Sequence, residues 1–529
     1  MSGSLRSALA YEPRELKFGT SGRRGLVADL TPLEIYITAT AELEFLRTLP
    51  RTSGGIAEGE EFYIAYDLRP SSAEIAQAVV QAIEDAGLKP VNLGGIPTPA
   101  LTHYAISRHR GSIMITGSHI PFDRNGYKLN TSAGELLKTH EQPVNRTVEA
   151  VRARIYSQTF ADSLFNELGQ FKSERRELPP ELDAGCAAYI DRYASFFGGS
   201  SLSGRKLLVY QHSAVGRDIL VEILRRLGAE AIPAGRSETF VPIDTENIDA
   251  EQLATIQRLA DEAGTVDAVV STDGDSDRPL ILGIEAGRAK FFGGDLVGMI
   301  VAEYLSADAV VVPISCNDAI DRSHLASVLE PKTRIGSPYV IAGMEIARAK
   351  SRRAICGWEA NGGFLTGSEI ERNGRKLAAL PTRDAMLPIL AVLSAAQEKS
   401  LTLPQLFARL PARFSKAALL KNFPRETSLK MMERFSSREE LSKFFTGIEN
   451  LDYTDGIRIT FDNGEVAHIR PSGNADELRF YAVADTQERA DAMAAWGVAE
   501  PNGLLRQLQK SGFDEPRSSG RDPGNHMAR

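Results

Sequence analysis

The chain has 529 residues, too many for a single hydrophobic core, so three or four domains are expected. Acidic residues outnumber Lys and Arg by 69 to 61, giving a formal net charge of -8, and no basic run indicates a nucleic-acid partner. The three cysteines include no C-x-x-C pair, which excludes a disulfide scaffold and a cysteine zinc site and favours a reducing compartment. No segment resembles a signal sequence or a membrane span, which predicts a soluble, cytoplasmic protein without a membrane partner.

Repeated α/β units run along most of the chain. In the first unit, a strand over 62–66 is followed by an amphipathic helix over 71–86 and a second strand over 91–93. The same order recurs over 206–232 and, less completely, over 310–356. Strands that alternate with helices predict mixed or mostly parallel sheets that bind ligands at the carboxyl ends of their strands.

The last part of the chain has a different pattern. Two short strands over 457–461 and 466–469 predict an antiparallel meander, and therefore a smaller domain of another type. The residues after 508 are rich in Arg, Ser, Gly and Pro, a composition typical of a disordered tail.

The most informative motif is an acidic loop that follows the largely apolar run 266–270. In it, Asp273, Asp275 and Asp277 stand at every second position, and Arg278 follows directly. Side chains two apart in an extended loop point the same way, so the three carboxylates can converge. Because convergent anions repel each other, a cation is needed, and a cluster of oxygen ligands suits a hard ion such as Mg²⁺.

Three other interpretations apply to the acidic loop. An EF-hand requires glycine and glutamate where this chain has Arg278 and Ile284, so that interpretation fails. A haloacid-dehalogenase-type phosphatase would need threonine at the position of Asp277. A solvated turn between two strands stays open when the loop is considered alone.

A second motif, Thr116-Gly117-Ser118-His119-Ile120-Pro121, follows the apolar run 113–115, and Lys128 lies ten residues beyond the serine. It lacks the flanking glycines of a hydrolase elbow. Taken alone, Ser118 could be a loop or capping serine and Lys128 a surface charge. A phosphoryl group on Ser118 would link the two motifs, because protein-bound Mg²⁺ commonly also binds phosphate oxygens.

With these motifs, the chain resembles the α-D-phosphohexomutase superfamily, which includes phosphomannomutases, phosphoglucomutases and phosphoglucosamine mutases. Two further motifs match in the family's order, Gly19 to Gly25 (GTSGRRG) and Arg470 to Asn474 (RPSGN). A fifth, Gly357 to Gly363 (GWEANGG), resembles the family's sugar-binding loop. By motif placement, the resemblance covers roughly residues 15–490.

The repeats and the resemblance together imply an α/β fold: three related mixed α/β domains plus a smaller α+β C-terminal domain around a central cleft. The expected domains are 1–168 with the phosphoserine loop, 169–290 with the metal loop, 291–402 with the sugar-binding loop, 403–508 with a phosphate-binding motif, and a tail over 509–529.

The resemblance also implies a reaction. A phosphohexomutase moves phosphate between the 1- and 6-positions of a hexose through a bisphosphorylated sugar, with phosphoserine as the donor. Ser118 would carry that phosphate, and one Mg²⁺ would be held by Ser118, Asp273, Asp275 and Asp277. Lys128 is the expected general acid/base, on the hypothesis that a crowded cationic site lowers a lysine pKa.

Other residues would bind the phosphates and the sugar. Arg24 and Arg278 are expected beside the transferred phosphate. Glu359 and Asn361 would bind the sugar, and the other phosphate would be bound by Arg470, Ser472, Gly473 and Asn474. The chain departs from the family pattern at Asn474, where many members have threonine, and at Gly363, where some have histidine.

The predicted activity is that of a phosphohexomutase acting on mannose phosphates, with a hexose 1,6-bisphosphate as activator. Glucose phosphates are the next choice and glucosamine phosphates the third. Outside this class, the alternatives are a haloacid-dehalogenase-type phosphatase with Asp273 as nucleophile and a non-catalytic sugar-phosphate-binding protein. A monomer or homodimer is expected.

Overall fold

The computed structural model describes five stretches of the chain: 3–19, 21–173, 177–246, 248–472 and 476–513. The described residues form two compact units, one ending at Ala412 and the other beginning at Arg413. Within these stretches, no helix is long and apolar enough to cross a membrane.

The first region of the larger unit holds a seven-stranded sheet. Its elements are α1 (Leu5–Ala8), β1 (Lys17–Phe18), β2 (Arg23–Leu26), α2 (Pro32–Thr48), β3 (Glu61–Tyr66), α3 (Ser72–Asp85), β4 (Lys89–Asn92), α4 (Thr98–Ile106), β5 (Ser112–Ile115), β6 (Arg124–Thr131), β7 (Gly134–Glu135) and α5 (Lys138–Tyr156), with 3₁₀ turns at Val27–Asp29 and Arg51–Ser53. The strand order is β1-β2-β6-β5-β3-β4, and β7 pairs with β6. Helix α2 begins at Pro32 because the side chain of Thr31 accepts a hydrogen bond from the backbone N–H of Glu34.

The second region holds a five-stranded sheet with the order β12-β11-β10-β8-β9. Its elements are α6 (Ala184–Phe197), β8 (Lys206–His212), α7 (Arg217–Arg226), β9 (Glu230–Arg236), α8 (Ala250–Ala263), β10 (Ala268–Thr272), β11 (Pro279–Glu285) and β12 (Arg288–Phe291). All five residues of β10 are buried, as expected of a strand that follows from the largely apolar run before the acidic loop.

The third region holds a four-stranded sheet, β13-β14-β15-β18, and the hairpin β16-β17. Its elements are α9 (Gly294–Tyr304), β13 (Ala309–Val311), a 3₁₀ turn at His324–Val328, α10 (Ser337–Ala349), β14 (Ile355–Trp358), β15 (Phe364–Thr366), β16 (Ile370–Arg372), β17 (Arg375–Leu377), β18 (Leu380–Asp384), α11 (Met386–Glu398) and α12 (Leu403–Phe407).

The three sheets share one local arrangement. In each, the strand before a predicted functional loop has a parallel neighbour on one side and an antiparallel neighbour on the other. Strand β5 lies between β3 and β6, β10 between β8 and β11, and β14 between β13 and β15. The Ser118, Asp273 and Glu359 loops therefore leave equivalent strand ends, which confirms three related α/β domains.

One apolar cluster runs through all three regions. It includes Tyr63 of the first, Tyr189 and Val209 of the second, and Trp358 and Phe407 of the third. Helix α11 is buried along most of its length from Met386, which is typical of a helix inside the core of a large protein. The loops of the three sheets are thus fixed by a shared interior.

The second unit is a smaller domain built on an antiparallel sheet with the order β19-β23-β22-β21-β20. Its elements are β19 (Phe414–Lys421), α13 (Arg425–Arg434), α14 (Arg438–Leu441), β20 (Ile448–Asp452), β21 (Ile457–Phe461), β22 (Val466–Pro471), β23 (Glu477–Ala484), α15 (Gln487–Val498) and α16 (Leu504–Phe513). Strands β21 and β22 form the predicted meander, so the predicted fold class of this domain is confirmed.

Two expected boundaries differ from the structure. The second unit begins at Arg413 and not at 403, because α12 packs on the larger unit: the rings of Phe407 and Phe292 stack with centroids 3.9 Å apart. The expected tail from 509 is wrong for its first residues, since α16 continues to Phe513 and buries Leu508. Residues 514–529 lie outside the described part of the chain.

Candidate active site

Ser118 lies at the carboxyl end of β5 in an unusual backbone conformation. Its φ of 55° is in the left-handed region, where a non-glycine residue is strained and often functional. The side chain is only 4% exposed, and its hydroxyl donates a hydrogen bond of 2.9 Å to Oδ2 of Asp273. The structure thus brings the serine of the first sheet to the acidic loop of the second.

The Ser118 loop is held by Arg69, a buried residue that sequence analysis missed. Its guanidinium donates to the carbonyls of Ser118 at 2.7 Å, Pro121 at 2.8 Å and Arg124 at 3.0 Å. The ring of Phe240, from the second region, covers the other side with its centroid 4.0 Å from Arg69 Cζ. Several charge-assisted bonds from one rigid fork fix the loop geometry.

Asp67 also holds the Ser118 loop, through its carboxylate. One carboxylate oxygen accepts a hydrogen bond of 2.7 Å from the Thr116 hydroxyl, and Arg69 Nε lies 3.1 Å from it. Asp67 and Arg69 directly follow strand β3, next to β5 in the sheet. An acidic and a basic residue just after a buried strand were the signal by which the sequence could have revealed this pair.

The three predicted metal ligands converge. Asp273, Asp275 and Asp277 are buried, and each offers one oxygen such that the three oxygens lie within 4.8 Å of one another. Among the described residues, the buried Oδ1 atoms of Asp275 and Asp277 have no hydrogen-bond donor. Orphaned buried carboxylate oxygens are costly unless something binds them, so the donor set fits a hard divalent cation.

The carboxylates of the acidic loop differ in how well neighbouring groups compensate their negative charge. Burial raises the pKa of Asp273 well above its usual range, and the neighbouring Asp275 and Asp277 raise it further. Burial acts in the same direction on Asp275, but Lys128 and the Thr98 hydroxyl outweigh it and lower the pKa of that carboxyl. The high pKa of Asp273 thus reflects burial first and the negative charge of its two neighbours second, and a bound cation would oppose both effects.

Lys128 lies between two of the carboxylates. Its Nζ is 2.7 Å from Oδ2 of Asp275 and 2.7 Å from Oδ2 of Asp277. The surroundings of Lys128 are therefore mixed in charge, because two carboxylates contact its ammonium group and the guanidinium of Arg383 also donates to Oδ2 of Asp277. The general acid/base role expected for Lys128 stays a prediction. The proximity of Lys128 to the acidic loop agrees with the sequence-based prediction, and its position suits a proton donor as well as a counter-ion.

Arg278 and Arg24 both lie near the carboxylates of the acidic loop. Arg278 Nη1 lies 2.9 Å from Nδ1 of His119, and its Nε lies 3.6 Å from Oδ1 of Asp277. Arg24 lies on β2, where burial lowers its pKa to about 10 although the charge of Asp275 opposes that shift. Both predicted phosphate-binding arginines thus carry charge close to the Ser118 and Asp273 loops.

Arg23, next to Arg24, explains how β2 is fixed. It is 2% exposed, donates to Oε1 of Glu42 at 2.7 Å, and lies over the ring of Phe18 with Cζ 3.8 Å from the centroid. A buried guanidinium paired with a buried carboxylate holds this strand at one register. Arg24 is positioned as a consequence.

Glu359 directly follows β14 and is 3% exposed. Its Oε2 accepts a hydrogen bond of 2.9 Å from Arg383, a residue absent from the sequence-based predictions. Arg383 also donates to Oδ2 of Asp277 at 2.8 Å, so one guanidinium joins the sugar-binding loop to the acidic loop. Asn361 shapes the same loop, since its side-chain oxygen accepts from the backbone N–H of Gly363 at 3.0 Å.

The predicted phosphate-binding motif belongs to the smaller unit. Arg470, at the end of β22, is 8% exposed, and its Nε lies 3.1 Å from Oδ2 of Asp455. Ser472 is 3% exposed, and its backbone N–H donates to the carbonyl of Glu477 at 2.9 Å. Gly473 and Asn474, the other two predicted residues, lie outside the described part of the chain.

Matches to family models identify the family to which the chain belongs. Those for α/β/α domains I, II and III of phosphoglucomutase/phosphomannomutase match residues 15–155, 187–285 and 293–414, and the model for the C-terminal domain matches 420–496. The chain therefore belongs to the phosphoglucomutase/phosphomannomutase family, within the α-D-phosphohexomutase superfamily, and is an intramolecular phosphotransferase. This membership excludes the haloacid-dehalogenase-type phosphatase.

Individual relatives agree with this assignment. A phosphomannomutase of Sinorhizobium fredii is 40% identical over 495 residues, which cover 92% of this chain and 99% of that protein. The fold matches a putative phosphomannomutase of Thermus thermophilus, at a TM-score of 0.67 and 20% identity over 91% of this chain and 98% of that one. It also matches an Aspergillus fumigatus N-acetylphosphoglucosamine mutase solved with GlcNAc-6P and magnesium, at a TM-score of 0.52 and 14% identity over 96% and 97%.

Proposed function

We propose that the protein interconverts mannose 6-phosphate and mannose 1-phosphate through a phosphoserine at Ser118 and a mannose 1,6-bisphosphate intermediate. The observation that carries this proposal is the contact of 2.9 Å between the Ser118 hydroxyl and Asp273, inside a cluster of carboxylates and cations. The choice of mannose is supported by the sequence identity of 40% to a phosphomannomutase.

The phosphoryl group is transferred twice. In the first transfer, the bond between Ser118 Oγ and phosphorus breaks as a bond from a sugar hydroxyl oxygen to phosphorus forms. The proton of that hydroxyl goes to a base, and Ser118 Oγ takes up a proton. In the second transfer, the other phosphate of the bisphosphate returns to Ser118, so no phosphate is consumed. A hexose 1,6-bisphosphate would restore enzyme that has lost its phosphoserine.

Lys128 is proposed as the general acid/base. Its ammonium group, held by Asp275 and Asp277, can deliver a proton to Ser118 Oγ, and the resulting amine can accept one in the reverse transfer. Arg278 and Arg24 would balance the negative charge of the phosphoryl oxygens, which is the main requirement of phosphoryl transfer.

Mg²⁺ is the proposed metal, and the phosphorylated Ser118 would hold it together with Asp273, Asp275 and Asp277. When bound, it would withdraw negative charge from the phosphoryl oxygens. The ligand chemistry supports this ion, because carboxylate and phosphate oxygens are hard ligands, and magnesium is present in the Aspergillus enzyme of the same fold.

The substrate would be held at two places. Glu359 and Asn361 would hydrogen-bond the sugar hydroxyls, and Arg470 and Ser472, with Gly473 and Asn474, would bind the phosphate that is not being transferred. The cytoplasmic location and the monomeric or homodimeric state are predictions from the sequence.

The test compares mannose 1-phosphate, glucose 1-phosphate and glucosamine 1-phosphate as substrates, each with Mg²⁺ and a hexose 1,6-bisphosphate. We expect the highest kcat/KM with mannose 1-phosphate, phosphate on Ser118 in peptide mass spectra, and no turnover by folded Ser118→Ala. Phosphoglucomutase is the second candidate, because the matching family models cover both activities. Binding of all three sugars without isomerisation would instead identify a non-catalytic sugar-phosphate-binding protein.

A further inference from the structure

Gly363 closes the sugar-binding loop at a place where the chain has no room for a side chain. A β-carbon built on Gly363 would lie 2.5 Å from Cδ, 2.8 Å from Cγ and 3.0 Å from Cβ of Arg383. These are the inner atoms of the arginine side chain, so turning its tip aside would not relieve the overlap. The backbone of Gly363 is not in the left-handed region, unlike that of Gly362, so the requirement for glycine at 363 is steric.

The side chain of Arg383 fills this space, and it contacts one carboxylate in the sugar-binding loop and one in the acidic loop. Arg383 is 4% exposed and donates to Oε2 of Glu359 at 2.9 Å and to Oδ2 of Asp277 at 2.8 Å and 3.1 Å. Each carboxylate therefore has one oxygen committed to the guanidinium. In Asp277, the oxygen left over is the orphaned Oδ1.

The backbone on both sides of Arg383 is anchored separately. The Asp384 carboxylate accepts hydrogen bonds from the buried hydroxyls of Tyr189 and Tyr193, both on α6. On the other side, the Thr382 hydroxyl donates to Oε1 of Glu135 at 2.6 Å. These contacts fix the end of β18, so the direction of the Arg383 side chain is set by residues outside the substrate loops.

We propose that Arg383 is a positioning residue for substrate binding, and that Gly363 is glycine because Arg383 lies across it. Arg383 turns Glu359 so that Oε1 is presented to the sugar hydroxyls, and it holds Asp277 with Oδ1 directed away from the guanidinium. A side chain at 363 displaces Arg383 and disorders Glu359 without touching the substrate. The inference rests on the proposed mutase activity, for which Glu359 binds the sugar.

The test is a double-mutant cycle of Gly363→Ala and Arg383→Ala, with kcat, KM for mannose 1-phosphate and thermal unfolding measured for each variant. Gly363→Ala is expected to raise KM and to lower kcat/KM by about 10- to 100-fold, the effect of losing a charge-assisted hydrogen bond. The overlap with buried atoms should also lower its melting temperature, so the kinetics are measured well below the melting temperature of each variant. Because the methyl group acts only through Arg383, the double variant should be no less active than Arg383→Ala alone.

Gly293→Ala is the matched control. It lies one residue before α9, has a φ of -61°, and a β-carbon built there has no neighbour within 4 Å, so its kinetics should be those of the wild type. Two results would overturn the inference. One is wild-type kinetics for Gly363→Ala, and the other is a double variant whose fold-loss in kcat/KM equals the product of the losses in the two single variants. If Arg383→Ala fails to fold, the KM of folded Gly363→Ala, measured well below its melting temperature, decides the matter. An inactive wild-type protein would refute the proposed function instead, so the two failures are distinguishable.

Discussion

The hydroxyl of Ser118 lies 2.9 Å from a carboxylate oxygen of Asp273, although 155 positions separate the two residues in the chain. A phosphate on Ser118 would meet three carboxylates at short range. Such a cluster of anions is stable only with cations among them. Lys128 and Arg278 are two of these cations, and the orphaned Oδ1 atoms of Asp275 and Asp277 mark where a further cation is needed. This contact thus links the predicted phosphorylation to the predicted metal.

Metal removal is expected to abolish turnover. EDTA should stop the reaction, Mg²⁺ should restore it, and calorimetry should show binding of Mg²⁺ alone to the free protein. Asp275→Asn removes one charge from the donor set and should weaken that binding by about 10-fold or more. Asp261→Asn, on the exposed side of α8, should bind Mg²⁺ like the wild type. Full activity in EDTA would refute the metal site.

Replacing Lys128 separates proton transfer from charge balance. Lys128→Met should lower kcat by about 10²- to 10⁴-fold, the usual contribution of a general acid/base. Lys128→Arg keeps the positive charge beside Asp275 and Asp277, but a guanidinium does not give up its proton. It should therefore be nearly as inactive. An active Lys128→Arg enzyme would limit Lys128 to the role of counter-ion, and single-turnover transfer from phosphorylated Ser118 is the measurement that decides.

Arg69 offers a test of how the Ser118 loop is held. Arg69→Gln removes the fork that binds the carbonyls of Ser118, Pro121 and Arg124, so the loop should lose its fixed geometry. We expect kcat to fall by about 10- to 100-fold, since a small misplacement of a reacting group has effects of that size. Arg152→Gln breaks a largely buried pair with Glu34 away from this loop and should lower the melting temperature without changing kcat. Equal kcat losses in both variants would contradict this role for Arg69.

Asp295, at the start of α9, predicts a pH-dependent stability. Burial raises its pKa from 3.8 to about 7, partly opposed by Cys316 and reinforced by Glu246. Between these two values the unfolded chain has released a proton that the folded protein keeps. The free energy of unfolding should therefore fall as the pH rises from about 4 to 7, by at most roughly 4 kcal/mol from this group.

Asp295→Asn should remove that contribution. In urea unfolding, its stability relative to the wild type should increase between about pH 5 and about pH 8. The control Asp191→Asn changes a carboxylate that is 66% exposed and should follow the wild type at every pH. Parallel curves for Asp295→Asn and the wild type would show that this carboxyl is ionised in the folded protein.

The sequence predicts those parts of the site that are contiguous in the chain. Asp273, Asp275 and Asp277 follow a readable apolar strand, and Ser118 follows another, so each loop could be placed at a strand end from local pattern alone. Arg69 and Arg383 were missed because each is a single residue whose partners are distant in sequence. The same limit applies to the contacts of Lys128: its ammonium group meets Asp275, 147 positions away, and no local pattern reports that pairing.

The larger unit is divided into three domains along its sequence, but these domains share an apolar cluster in space. Family models divide residues 15–414 into three domains, yet one apolar cluster joins Tyr63, Tyr189 and Phe407. In addition, Phe240 of the second region covers the arginine that holds the Ser118 loop of the first. An excised first domain would expose this apolar surface to water and leave Arg69 uncovered. We therefore expect the first domain to be less stable alone than within the chain, and the geometry of the Ser118 loop to depend on Phe240 of the second region.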